Sequence, residues 1–458
     1  MLSISSNFND GGAMDVEEIV SSFEYNDISF VRFEQTDLYG VARSKTIPAQ
    51  HFKQKAVNGL NFYLGHLGYD PKAGFVEDSA YTAATGHCDA VCFPDLETYQ
   101  NISWSERTAR ILIEPMYKGK LVEAHPRVVA RRQLEKLKEM GYSLLSAHEH
   151  EFYLVEKESR KPIDDVVNIR STIRMAACED MVYTFMAGLI GAEVNIECVQ
   201  TEYGPGQIAM SYRPAFGIRA ADNAHTYRTG IKEMALKKGY MATFMSKPFP
   251  NRSGSACHLC HSLWDIQGET PLLYDADRPT GLTSVGEHWV AGLLEHTPAI
   301  SLLMAPTINC LKRYLPNSFA PSNATWGIDN RTCAIRVKLN GKEGTYIENR
   351  LGASGCNPYI ALAATVAAGM DGINRKLPLP PCVKETGSAY NLEDIPPGTA
   401  NVPTDMEEAM RTLQADDVMT SALGKEFIEC FLAAKRHEIL LQEKNEENWE
   451  QDLFFEYM

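Results

Sequence analysis

Two glutamates separated by one residue stand inside an apolar stretch, SLLSAHEHEFYLV, at positions 143–155. Such a run reads as a strand, and residues two apart on a strand point to the same face. Glu149 and Glu151 therefore project together. Their mutual repulsion is costly unless a cation sits between them. Carboxylate oxygens suit Mg²⁺ and Mn²⁺, so the pair predicts a divalent-metal edge. Taken alone it fits a solvated face of an edge strand as well. His148 and His150 fall on the opposite face by the same alternation and are given no role.

The chain around this strand is long enough for two or three domains, at 458 residues. Residues 1–23 are polar and rich in Gly, Ser and Asn, and are expected to form a disordered tail. From Ile28, ISFVRFEQTDLYG predicts a strand ending in a turn, and ARILIEPMY (109–117) another. A β-rich N-terminal domain over 24–118 follows. Pro126 opens a helix that Gly141 stops. Beyond it, strands alternate with helices through a mixed domain over 119–458. Thr404 with Glu407 predicts a capping box for the helix TDMEEAMRTL.

Charge and cysteine usage narrow the function classes. A net charge of −15 argues against nucleic acid or an anionic membrane as partner, since both need basic surface. No apolar run approaches a membrane span, and no secretory signal opens the chain. Eleven scattered cysteines fit reduced thiols in the cytoplasm. Cys257-His258-Leu259-Cys260-His261 matches a haem-attachment spacing, but small apolar cysteines on a strand are the expected reading.

Four more clusters carry chemistry. Glu197 precedes Glu202-Tyr203-Gly204-Pro205-Gly206-Gln207, a tight turn beside an acid. Gly254-Ser255 leads into His258. Arg313, Arg331, Arg336 and Arg350 surround Glu348 in sequence, which suits either an anion pocket or a salt-bridged surface. Asn357-Pro358-Tyr359 begins an Ala-rich helix, read as packing. In this order the clusters resemble the glutamine synthetase superfamily, from Asp37 almost to the C-terminus.

The resemblance implies an α+β fold: a β-grasp-like N-terminal domain and a catalytic domain with a curved antiparallel sheet and helices. It implies Mg or Mn and ATP as cofactors wherever the site still binds them. Glu149, His258 and Glu348 match the metal site nearer the nucleotide, and Glu151 and Glu202 the site nearer the substrate. Arg313, Arg350 and Gly254 match substrate-binding positions. Glu197, Ser262 and Arg336 match nucleotide-binding positions. Arg331 matches a catalytic arginine, vestigial if the site is inactive. The resemblance also implies a homo-oligomer of two hexameric rings, a dodecamer, with each site between neighbouring subunits.

The departures cut against activity. Ala209 stands where the family has a metal-binding glutamate. Cys260 replaces a histidine, Tyr346 a phosphate-binding arginine, and Ser253 an asparagine that contacts glutamate. Phe319 replaces the loop glutamate that closes over ammonium. Two readings follow. Phe30-Val31-Arg32-Phe33-Glu34, His261-Ser262-Leu263-Trp264-Asp265 and Leu362–Gly369 resemble a branch without synthetase activity. That branch is structural or chaperone-like, beside intermediate filaments of the lens or an equivalent tissue. Alternatively, Phe319-Ala320-Pro321 with Trp326-Gly327-Ile328-Asp329-Asn330-Arg331 resembles active ATP- and Mg-dependent γ-glutamyl ligases that take larger amines.

Overall fold

The computed structural model describes residues 14–444 and 447–458. The segment from Ile28 becomes β1 (Phe30–Thr36), with Val31 and Phe33 buried. It belongs to a seven-stranded sheet with β2 (Ala42–Pro48), β3 (Leu60–Tyr63), β4 (Asp89–Pro94), β5 (Gln100–Asn101), β6 (Thr108–Tyr117) and β7 (Lys120–Leu121). Its main path runs β2-β1-β6-β4-β3, and β1 and β6 are parallel.

The second sheet has nine strands: β8 (Tyr142–Glu156), β9 (Ile196–Thr201), β10 (Gln207–Tyr212), β11 (Ala215–Phe216), β12 (Tyr240–Thr243), β13 (Cys257–Asp265), β14 (Trp326–Ile328), β15 (Ile335–Lys338) and β16 (Tyr346–Asn349). The order is β14-β15-β16-β13-β8-β10-β9, with β11 and β12 also on β8. Every pairing is antiparallel except β14 with β15. The expected α+β class, with a curved and mainly antiparallel catalytic sheet, is the one adopted.

Two sequence expectations fail locally. Part of the expected disordered tail is α1 (Val16–Tyr25), which starts with a capping box between Asp15 and Glu18. It is held because Ile19 and Phe23 are buried in the core of the N-terminal sheet. Residues 1–13, the rest of that expectation, lie outside the described residues. The helix expected to be capped by Thr404 is capped instead by Asp405, whose carboxylate accepts from the Glu408 amide at 3.0 Å. A start one residue later buries Met406, Ala409, Met410 and Leu413 on one face.

The remaining helices are α2 (Phe52–Asn58), α3 (Pro126–Glu139), α4 (Thr172–Gly191), α5 (Arg219–Lys237), α6 (Ser284–Glu295), α7 (Thr297–Met304), α8 (Ile308–Leu311), α9 (Gly341–Gly344), α10 (Pro358–Arg375), α11 (Met406–Ala415), α12 (Asp417–Leu423), α13 (Lys425–Glu443) and α14 (Trp449–Phe454). The Ala-rich stretch after Asn357 is α10, buried along nearly its whole length. It crosses α6 at glycines: a Cβ on Gly372 would lie 2.7 Å from the Gly292 Cα and 2.1 Å from the His288 carbonyl oxygen. Only glycine permits that approach. The loop that leads into α10 is bonded to the backbone that carries the site. Cys257 N donates to Gly352 O at 2.9 Å, and Ser354 N to Ser255 O at 3.0 Å.

Candidate functional site

The alternation in β8 divides its two sides as the sequence predicts. Leu144, Ser146, His148 and His150 are buried, while Ala147, Glu149 and Glu151 line cavities on the other face. His150 is stacked on Tyr227 and contacts the Cys257 sulfur at 3.2 Å, so the two histidines serve the core. His261 also faces the core, where it accepts from Trp289 Nε1 at 2.9 Å. The cysteines of the C-x-x-C-H stretch therefore point to opposite faces of β13, Cys257 inward and Cys260 toward the cavity.

Cross-strand register assembles the rest. His258 pairs with Glu149, Cys260 with Glu348, and Arg336 with Glu348. The ligand atoms of Glu149, His258 and Glu348 lie within 4.8 Å of one another. His258 Nδ1 is 3.2 Å from Glu149 Oε2 and 3.3 Å from Glu348 Oε1. Burial, then the Arg350 guanidinium, pushes His258 well below its ordinary pKa, so the ring is neutral and keeps a lone pair. Burial alone would raise the Glu348 carboxyl. Arg350, His258 and Arg336 outweigh it and hold it below the usual range. Arg336 donates to Glu348 Oε2 at 2.7 Å, and Arg350 bonds Glu348 Oε1. One imidazole and two carboxylates at this spacing fit a divalent cation.

The other end of the cavity is thinner. Glu151 accepts from Ala256 N at 2.9 Å and from Gln207 Nε2 at 3.4 Å. Burial, Glu202 and Glu149 push its carboxyl upward to about 8. Burial and Glu149 raise Glu202 too, although Gln200 donates to it at 2.5 Å. Directly opposite Glu151 in the β8–β10 ladder is Ala209, a buried methyl. Two carboxylates that repel each other across this gap make a poorer donor set than the triad.

These groups share one cavity of about 390 Å³, which also takes in Arg313, Arg331, Ser253, Gly254 and Phe319. Arg313 is spent on backbone, donating to Arg350 O at 2.9 Å and Leu351 O at 3.3 Å. A second cavity of about 440 Å³ adjoins it. Glu149, Cys260 and Tyr346 border both, and Glu197 and Ser262 line the second. At the mouth of the first cavity, Phe319 stacks on Tyr203 with centroids 6.4 Å apart. Its backbone is left-handed, at φ 58°, and its carbonyl accepts from Arg350 at 3.2 Å. All the sequence-derived site residues thus border the two joined cavities, except Ala209, which is buried in the sheet beside them. Arg170, Lys247 and Lys338 line the first cavity as well. They come from separate places in the chain, Arg170 and Lys247 from loops and Lys338 from the end of β15.

Residues 123–454 match the family model for the glutamine synthetase catalytic domain. The chain belongs to the glutamine synthetase family. It is 36% identical to lengsin of Rattus norvegicus over 452 residues, covering 96% of this chain and 78% of the relative. It is 30% identical to a glutamate–isopropylamine ligase of Pseudomonas sp, covering 93% and 95%. A solved structure described as a GmaS/ADP complex aligns with TM-score 0.84 at 25% identity, covering 94% and 98%. The chain is therefore a lengsin-like member of the glutamine synthetase superfamily. Among the described residues, no helix is long and apolar enough to cross a membrane.

Proposed function

We propose that this lengsin-like chain does not make glutamine, and that it serves as a homo-oligomeric structural or chaperone-like protein of the cytoplasm. The observation that carries this is Ala209 facing Glu151 in the sheet. A synthetase site neutralises a transferring phosphoryl group with several cations at once, and here the substrate-side metal has lost a carboxylate. The replacements at Cys260, Tyr346, Ser253 and Phe319 support the same reading. Assembly as two hexameric rings, association with intermediate filaments, and a place in the lens or an equivalent tissue rest on the resemblance to lengsins.

The nucleotide end is a different matter. Glu149, His258 and Glu348 would hold one Mg²⁺ or Mn²⁺, whose charge would offset that of bound phosphates. Arg336, Glu197 and Ser262 would adjoin ATP. Glu151 and Glu202 would hold a second ion weakly, Arg313, Arg350 and Gly254 would border a glutamate, and Arg331 would be vestigial. Purified protein supplied with Mn²⁺, ATP, glutamate and ammonia is expected to form no glutamine, and light scattering to give the mass of a dodecamer. Glutamine formation would sink the first half of the proposal, and a monomer the second.

One observation favours a second reading. The Tyr203–Phe319 stack gives the cavity an aromatic lining that would suit an alkylamine, and the similarity to a glutamate–isopropylamine ligase covers nearly the whole chain. On that reading the protein is an active ATP- and Mg-dependent γ-glutamyl ligase with an amine larger than ammonia. Ammonia alone would then give nothing, while an alkylamine would drive glutamate-dependent ADP release.

A further inference from the structure

Away from the cavity, one histidine is held in a way that only its charged form can satisfy. His296 sits at the corner between α6 and α7, 3% exposed. Its Nδ1 is 2.6 Å from Asp416 Oδ2, and its Nε2 is 2.9 Å from Asp371 Oδ2. An ionised carboxylate only accepts, and a neutral imidazole has one donor and one lone pair. The neutral ring would aim that lone pair at one of the two oxygens. The imidazolium donates to both.

The two aspartates come from different parts of the helical layer. Asp371 lies in α10. Asp416 lies between α11 and α12, and caps α12 by accepting from Met419 N at 3.0 Å. A single cation thus ties the α6–α7 corner, α10 and the α11–α12 junction together. The other charged groups facing this place are Glu295 on α6, Arg375 on α10, Arg411 on α11 and Asp417 on α12, all around one open cavity. Arg375 pairs with Asp371 at 2.9 Å and with Glu295 at 3.6 Å. Asp371 therefore keeps a cation if the histidine loses its proton. Asp416 keeps no salt-bridge partner among the described residues.

We propose that His296 is a pH-responsive pin: charged, it fastens the α11–α12 junction to α10 and the α6–α7 corner; neutral, it lets that junction loosen on the Asp416 side. Burial would lower the pKa of the ring, but Asp416 and Asp371 outweigh it and hold it above the ordinary value. For a raised histidine the contribution is complete below the ordinary value and fades as pH rises through the folded one. Loosening therefore belongs above the ordinary histidine pKa. It would start at residues 406–423, because α10 is locked to α6 by Gly292 and Gly372.

Hydrogen exchange read by mass spectrometry on the full-length protein tests this, with rates corrected for the intrinsic effect of pH. In the wild type, protection of peptides spanning 406–423 is expected to fall between about pH 6 and about pH 9, while the centre of α10 stays protected. His296→Gln should show low, pH-independent protection at 406–423. Asp416→Asn retains a good N-cap residue and removes the partner charge, so it should flatten the profile even if His296→Gln does not fold. Flat protection in the wild type would overturn the proposal. So would the wild-type slope persisting in Asp416→Asn.

Discussion

The two ends of the main cavity share β8 and offer a cation different donors. At one end, β13, β8 and β16 bring a neutral imidazole and two carboxylates within 4.8 Å, with Arg336 and Arg350 already on Glu348. At the other, β8 and β10 place a protonation-prone Glu151 opposite a methyl group. A cation at the first end replaces existing attractions with stronger ones. At the second it would have to be drawn by two acids alone. Alanine at a ladder position leaves the pairing intact, because the ladder is made by the backbone. One fold can therefore carry two ends of different donor chemistry.

The largest effect that would break this comparison is at Glu348. Glu348→Ala leaves Arg350 buried without its carboxylate and takes one from Arg336, which retains Asp329. Removing one partner of a buried pair costs roughly 3–5 kcal/mol, so denaturant unfolding should shift by about that much and divalent affinity should collapse. If stability is unchanged, the Glu149–His258–Glu348 end is not the organised one. His258→Gln should leave the fold intact and weaken Mn²⁺ binding by at least roughly 10–100-fold, read by titration calorimetry. Equal affinity would move the metal elsewhere.

Ala209→Glu sharpens the contrast from the other side. Without metal, a third acid beside Glu151 should destabilise by roughly 1–3 kcal/mol. Mn²⁺ should then raise the melting temperature more than it does for the wild type. The smallest effect belongs to Phe319→Ala. Losing a half-exposed ring stack costs about 0.5–1 kcal/mol, and Mn²⁺ affinity at the far end should not change.

Local pattern carried much of this into the sequence. Strand alternation up to Phe152 separated Glu149 and Glu151 from His148 and His150, and Pro126 marked the start of α3. Other signals were present but undecidable locally. Thr404 with Glu407 and Asp405 with Glu408 both match a capping box, and the buried face of Met406, Ala409, Met410 and Leu413 chooses the second. Asp15 with Glu18 matched the same pattern, hidden in a polar composition. Contacts set by distant backbone had no local signal at all: Phe319 on Tyr203, Arg350 on the Phe319 carbonyl, and His296 between Asp371 and Asp416.

The most direct test of the central claim is ADP release by folded, oligomeric protein with Mg²⁺ or Mn²⁺, ATP and glutamate, offered ammonia, hydroxylamine and a panel of alkylamines and polyamines in turn. The account predicts no glutamate-dependent release with any of them, while Mn²⁺ and nucleotide still bind. Glutamate-dependent turnover with even one amine would contradict it, and would name the acceptor.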